Sequence, residues 1–223
     1  MDVVVFGATG MVGHGVLREC LLDPGIGRVV TVGRRATGER DEKLREVVVP
    51  DLSDLSAVES ELTGLDACMF CVGVTSAGMS EEAYTRITHE LTLSVARTLL
   101  RLNPGMAFLF ISGMGADSSE RGRLMWARVK GKAENALLEM PFRAVHVFRP
   151  GGIVPLHGVT SRTPWIRIAL ALTKPLHGVF RLFPGYVTTS EQLGRAMIAV
   201  ARDGHPSPIL ETRDINAVRT TTR

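Results

Sequence analysis

The stretch Val3-Val4-Val5-Phe6-Gly7-Ala8-Thr9-Gly10-Met11-Val12-Gly13 constrains this chain more than any other. A short, almost wholly apolar run breaks into glycines and then resumes with apolar residues at helical spacing: Met11, Val12, Val16, Leu17, Cys20 and Leu21. That succession predicts a strand, a tight turn and a helix. A strand apolar on both faces needs cover on both sides, which the interior of a parallel sheet supplies.

The same alternation continues down the chain. Asp23-Pro24-Gly25 stops the first helix, and Arg28 to Arg35 supplies a second strand. A third strand is expected at Glu46 to Leu52, a helix from about Ser53, and a fourth strand over Asp66 to Gly73. Ser80, followed by Glu81 and Glu82, starts a long helix that Asn103-Pro104-Gly105 ends near Leu102. Its buried stripe is expected at Ile87, Leu91, Val95, Leu99 and Leu102. A strand over Met106 to Ser112, a helix over Trp126 to Leu138 and a strand over Phe142 to Pro150 follow. This is α/β: a Rossmann-type, doubly wound parallel sheet of order 3-2-1-4-5-6.

Beyond Pro150 the pattern loosens, with prolines at 155, 164, 175 and 184. We expect one NAD(P)-binding domain over 1–223, with 151–188 a small helical elaboration forming a substrate pocket or lid. Short helices are expected to begin at Pro164 and Pro175. They would align Arg167, Lys174 and Arg181 opposite Trp165, Ile168, Leu172, Leu176 and Val179. The three cations interrupt the apolar run, so no membrane span is expected there.

With 45% hydrophobic and 22% charged residues and a formal charge of +3, the chain has no basic excess that would call for nucleic acid. Three cysteines and no apolar leader point to a reducing, cytoplasmic location without disulfides. Cys68 and Cys71 sit three apart on a strand and face opposite ways, which argues against a shared metal; no metal site is expected.

Gly7, Gly10 and Gly13 have the spacing at which a chain turns sharply, lets a pyrophosphate approach and packs a helix against a strand. The intervening Ala8, Thr9, Met11 and Val12 complete the turn, whose N–H groups would face phosphate oxygens. His14 and Gly15 are read as incidental neighbours. An acidic residue about 20 positions further on would bind a ribose 2′-hydroxyl, but Arg34 and Arg35 stand there instead. Two guanidinium groups suit a 2′-phosphate, so NADP is expected over NAD, without excluding NAD. Asp51 and Leu52 follow the third strand and are placed near the adenine, while Gly73 ends the fourth strand beside the cofactor.

Together "GATGMVG", "PDL", "CVG", "FISG", the helix bearing Lys130 and "FRPGG" resemble the short-chain dehydrogenase/reductase superfamily. The likeness is to its atypical, extended branch, which has epimerase-like and Tat-interacting-protein-like members. It implies that Ser112 orients a carbonyl, that Lys130 holds the nicotinamide ribose, and that Pro150 lies by the cofactor. It also implies a catalytic tyrosine four residues before Lys130, where this chain has Trp126. The indole N–H only donates and does not titrate in a useful range.

Two functions remain open at this level. One is a reductase of a small carbonyl or conjugated double bond, with Lys130, a water on Ser112 or His89 replacing the tyrosine. The other is an inactive NADP-binding sensor acting through a protein partner; the substrate is unknown and a homodimer is equally compatible. Tyr84 and Tyr186 are the remaining phenols, and Arg149 is expected at the pocket mouth, where it would meet an anionic group.

Overall fold

The computed structural model describes residues 1–157 and 185–218. Strand β1 (Asp2–Phe6) carries the valine run, and its Val3, Val4, Val5 and Phe6 are wholly shielded from solvent. Alternate residues enter two separate cores, Val3 and Val5 on one face and Val4 and Phe6 on the other. The expected two-sided burial is therefore present at the first element.

Helix α1 (Met11–Leu22) follows, and then β2 (Arg28–Gly33), β3 (Leu44–Val48), a 3₁₀ turn (Ser56–Leu62) and β4 (Ala67–Phe70). Next come α2 (Glu81–Thr85), a π-helical turn (Arg86–Glu90) and α3 (Leu91–Leu102), followed by β5 (Ala107–Ile111), α4 (Met125–Leu138) and β6 (Ala144–Arg149). The remaining described elements are β7 (Gly152–Val154), β8 (Val187–Thr189), α5 (Ser190–Asp203), β9 (Ile209–Glu211) and α6 (Thr212–Ala217).

The main sheet has the order β3-β2-β1-β4-β5-β6-β9, parallel throughout. It contains the expected 3-2-1-4-5-6 arrangement and adds a seventh strand beside β6. That strand spans only Ile209 to Glu211, too short for a periodic signal. A second parallel pair joins β7 to β8. The third strand ends at Val48 rather than Leu52, because Pro50 has no N–H for the ladder. Asp51 and Leu52 thus leave the sheet and stand beyond its edge.

Ser80 caps α2 as expected, its Oγ accepting from the Ala83 N–H at 3.2 Å. The long helix is not uniform, however, since the π turn adds a residue per turn and displaces the buried stripe. Tyr84, Thr88, Thr92, Val95 and Leu99 are buried, whereas Ile87 and Leu91 are half exposed. At the helix end the Asn103 amide donates to the Leu62 carbonyl at 2.7 Å and accepts from the Leu65 N–H at 3.0 Å. One buried side chain thereby ties α3 to the start of β4.

Close helix packing is purchased with glycine. A Cβ on Gly15 would lie 2.7 Å from the Ser190 Cβ, and one on Gly194 would lie 2.9 Å from the Glu19 Cγ. Gly15 is consequently a packing residue between α1 and α5, not an incidental neighbour of the turn. The expected helices at Pro164 and Pro175, with their basic stripe, lie outside the described residues. Among the described residues no helix is long and apolar enough to cross a membrane.

Candidate functional site

All turns that leave the C-terminal ends of parallel strands open on one edge of the sheet. There the loop after β1, the end of β2, the segment after β3 and the end of β4 enclose a cleft of about 650 Å³. Its walls include Gly7, Ala8, Thr9 and Gly10, then Arg34, Arg35, Asp51, Leu52 and Gly73. Sequence reasoning had assigned these nine residues to one ligand, and the fold brings them together. Thr37, Cys71, Ile87 and Leu91 also line the cleft but were not foreseen there. For Ile87 and Leu91 the cause is the π turn, which leaves no mark in hydrophobic periodicity.

The glycines differ in what they do. Gly7 has φ +76°, and a Cβ there would lie 2.7 Å from the Cys71 carbonyl carbon. Gly13 is buried, and a Cβ on it would approach the Gly7 carbonyl oxygen to 2.2 Å. Both are required by the protein's own packing. Gly10 caps α1 without a side-chain partner, which leaves the first-turn N–H groups of Met11 and Val12 directed toward the turn. Met11, Val12 and Gly13 are not in the cleft wall. A Cβ on Gly73 would meet nothing within 4 Å, so space is left open on that side of the cleft.

Arg34 and Arg35 are exposed and make no ion pair among the described residues. Behind them the Thr37 N–H and hydroxyl both donate to the Glu46 carboxylate, fixing the loop after β2. Asp51 accepts from the Ser53 N–H at 2.8 Å, and this bond holds its carboxyl below the ordinary range. An NAD(P) molecule is compatible with these groups: a turn with free N–H groups, two unpaired guanidinium groups and open volume beside Gly73.

The second cluster lies beyond β5 and is built differently. Trp126, Lys130 and Glu134 succeed one another at four-residue spacing along one face of α4. Trp126 approaches Gly115, where an added Cβ would touch the indole at 3.4 Å. Lys130 is half-buried, and its Nζ stands 5.7 Å from the centre of the Phe110 ring. Burial pulls the ammonium down to about 8, against a smaller opposing pull from Glu134. Gly131 is fixed by the loop above it, since a Cβ there would lie 1.8 Å from the Asp117 carbonyl oxygen.

Glu134 has no solvent exposure, yet it stays well partnered. The Ser112 hydroxyl donates to its Oε1, and Arg149 Nε reaches both oxygens at 3.1 Å. Arg149 also bonds Glu134 through a terminal nitrogen, the Ser118 Oγ at 2.6 Å and the Glu211 carboxylate at 3.3 Å. Its side chain is only 12% exposed. Arg149 is therefore committed inward and does not stand free at a pocket mouth, contrary to expectation. Glu134 went unnoticed in the sequence, although its four-residue offset from Lys130 was a legible signal.

Ser112, Trp126, Lys130 and Pro150 stand outside the cleft wall. Ser112 and Pro150 are buried, and the Pro150 carbonyl accepts from the Met114 N–H at 3.0 Å. Tyr84 is 2% exposed, and burial raises its phenol; it does not line the cleft. Tyr186 is 64% exposed beside Gly151, where its carbonyl accepts from the Gly152 N–H. His89 is half-buried in the π turn, and burial with nearby Lys132 lowers its imidazolium. Cys68 and Cys71 enter opposite cores; burial pushes the Cys71 thiol up to about 12 and raises Cys68 as well. Among the described residues no cluster of three potential metal ligands occurs.

Comparison with known proteins bears on the family and the fold. Over 212 residues the chain is 26% identical to "Protein FMP52, mitochondrial" of Eremothecium gossypii, covering 94% of this chain and 92% of that one. It is 28% identical to "Protein HTATIP2" of Rattus norvegicus over 67% of this chain and 62% of the other. In fold it is similar to the Bordetella bronchiseptica enzyme WbmF, crystallised with NAD+, at TM-score 0.66 and 16% identity, covering 96% of this chain and 76% of that one.

The names of the fungal relatives overturn the expected cytoplasmic location, since they are mitochondrial proteins by name. An apolar leader is a criterion for secretion alone. Mitochondrial import signals are amphipathic and arginine-rich, so the criterion was the wrong one. Residues 3–120 match the family model described as "NAD dependent epimerase/dehydratase family". With strand order, glycine turn and more than half its length in agreement, the chain belongs to that family.

Proposed function

We propose that this protein is an NADP(H)-dependent reductase of a small carbonyl or a conjugated double bond, in which Lys130 replaces the tyrosine as proton donor. The observation that carries this reading is the state of Lys130. It is half-buried and makes no ion pair among the described residues, and burial pulls its ammonium down from the ordinary lysine range to about 8. A group with a value near the working pH is suited to general acid catalysis.

In this reading 1–223 acts as one NAD(P)-binding domain. Gly7, Ala8, Thr9, Gly10, Met11, Val12 and Gly13 hold the pyrophosphate. Arg34 and Arg35 take the 2′-phosphate, while Asp51 and Leu52 border the adenine; Gly73, Lys130 and Pro150 serve the nicotinamide side. The bound reduced nicotinamide would supply a hydride. Lys130 would give its ammonium proton to the developing alkoxide or enolate and regain one from water. Trp126 would cover the reacting face and exclude solvent, as a broad apolar ring can. Ser112 donates its own proton to Glu134, which leaves its lone pairs to accept from a water or from Lys130.

Epimerisation of a nucleotide sugar is not supported, because it calls for the acid/base that Trp126 lacks. The experiment is NADPH oxidation with a panel of small ketones, aldehydes and enones, comparing the wild type with Lys130→Met and Trp126→Tyr. Turnover in the wild type, lost by about 10²–10⁴-fold in Lys130→Met, is the expected result. Turnover found only in Trp126→Tyr overturns the proposal in favour of an NADP-binding sensor.

A further inference from the structure

A lysine and a glutamate four residues apart share one helix face and lie within reach of an ion pair, although the order Glu before Lys is the more favourable one. Lys130 and Glu134 have that spacing but make no such pair, although Glu134 is wholly buried and bonded to Arg149. Arg149 accounts for the difference. From β6 it bonds both carboxylate oxygens, and the Ser112 hydroxyl takes a further place on Oε1. Arg149 is itself anchored from two other sides, by Ser118 Oγ and by Glu211. The carboxylate is thus fully subscribed by partners other than the lysine beside it.

We propose that Arg149 and Glu134 are positioning residues for Lys130, with Arg149 withholding the Glu134 carboxylate from the lysine so that the ammonium stays unpaired and able to release its proton. The assignment rests on the reading of Lys130 as proton donor, and concerns two groups that do not line the cleft. It goes beyond that reading by naming what keeps the lysine in its reactive state.

The other charges around α4 leave Arg149 and Glu134 as the governing pair. Asp117, in the loop over Gly131, is occupied by the Ser119 N–H and hydroxyl and by the Gly122 N–H. Arg128 is paired with Glu81 at the start of α2. His89, in the π turn packed on α4, is influenced by Lys132 rather than by Lys130. Tyr84 on α2 is buried with its phenol neutral. Phe110 on β5 presents only a ring to the ammonium. Glu134 is the one charged group among the described residues with a Coulombic effect on Lys130.

The test measures Lys130 directly and needs neither cofactor nor turnover. The full-length protein is acetylated briefly with acetic anhydride over a series of pH values, and the extent at Lys130 is read by mass spectrometry against exposed lysines. The expected wild-type midpoint is near 8. Glu134→Gln retains the hydrogen-bonding shape and loses the charge, so the midpoint moves down by about one pH unit. Arg149→Gln frees the carboxylate for Lys130 and moves the midpoint up by about one unit or more, while Arg149→Lys restores part of the original value.

Should Arg149→Gln fail to fold, Glu134→Gln decides alone. Identical midpoints in the wild type and every folded variant overturn the positioning role. A wild-type midpoint at the ordinary lysine value overturns it as well. If the midpoints shift as expected but no substrate turns over, the positioning role stands and only the reductase reading fails.

Discussion

Two regions share one edge of the sheet and are made of different materials. After β1 the groups proposed to face the ligand are backbone, in a turn where a Cβ on Gly7 or Gly13 would lie 2.2 to 2.7 Å from neighbouring main chain. After β5 they are side chains held in place by other side chains, with Glu134 and Arg149 as the centre. A backbone site depends on space, and any Cβ damages it. A side-chain site depends on the pairing of charges, and it responds to the loss of one partner out of proportion to its size.

The largest expected effect comes from breaking the second region. Glu134→Ala leaves Arg149 buried against a cavity, and should cost about 3–5 kcal/mol, as found for buried pairs deprived of one member. Thermal unfolding would show a fall on the order of 10 °C. A melting temperature within about 2 °C of wild type would mean the pair does not hold β5, α4 and β6 together.

Gly13→Ala strikes the first region by forcing a methyl group onto the Gly7 carbonyl oxygen. Overpacking of this kind costs about 1–3 kcal/mol. Dinucleotide binding should be lost with only partial loss of stability, a separation that differential scanning fluorimetry and calorimetry detect together. Retained affinity would show that the turn is not where the pyrophosphate lies.

A smaller change concerns only the charge at the end of β2. Arg34→Asp should weaken NADPH by about tenfold relative to NADH, equivalent to ~1.4 kcal/mol. An unchanged ratio of the two dissociation constants would remove the 2′-phosphate from the Arg34 and Arg35 corner.

The smallest effect has the opposite sign. Burial lowers the Lys130 value in the folded protein to about 8, so between there and the ordinary lysine range the unfolded chain holds a proton that the folded one lacks. Stability should therefore rise with pH across that window, while below it the cost of the buried charge is fully present. Lys130→Met should raise the melting temperature at pH 7 by about 2–4 °C and flatten the rise. A destabilised Lys130→Met would mean that the ammonium is paired after all.

The first region was legible in the sequence because backbone requirements are written as residue types. Gly7, Gly10 and Gly13 announce close approach, and the valines before them announce two-sided burial. The second was half legible. Spacing located Trp126 and Lys130 on one helix face, but nothing local reveals that Arg149, fifteen residues on and in another element, faces Glu134. Arg149 was accordingly expected outside, at a pocket mouth. The π turn at Arg86–Glu90 and the three-residue β9 were missed for a related reason: one alters the helical period and the other is too short to have one. Gly15 was dismissed because its partner, Ser190, lies far along the chain.

The most direct test of the account is calorimetric titration of the purified protein with NADPH and with NADH. Both regions are assigned on the premise that a dinucleotide lies across them, its phosphates on the glycine turn and its 2′-phosphate by Arg34 and Arg35. Saturable binding of NADPH, with NADH about tenfold weaker, is the predicted result. Binding of neither nucleotide would contradict the account at its foundation.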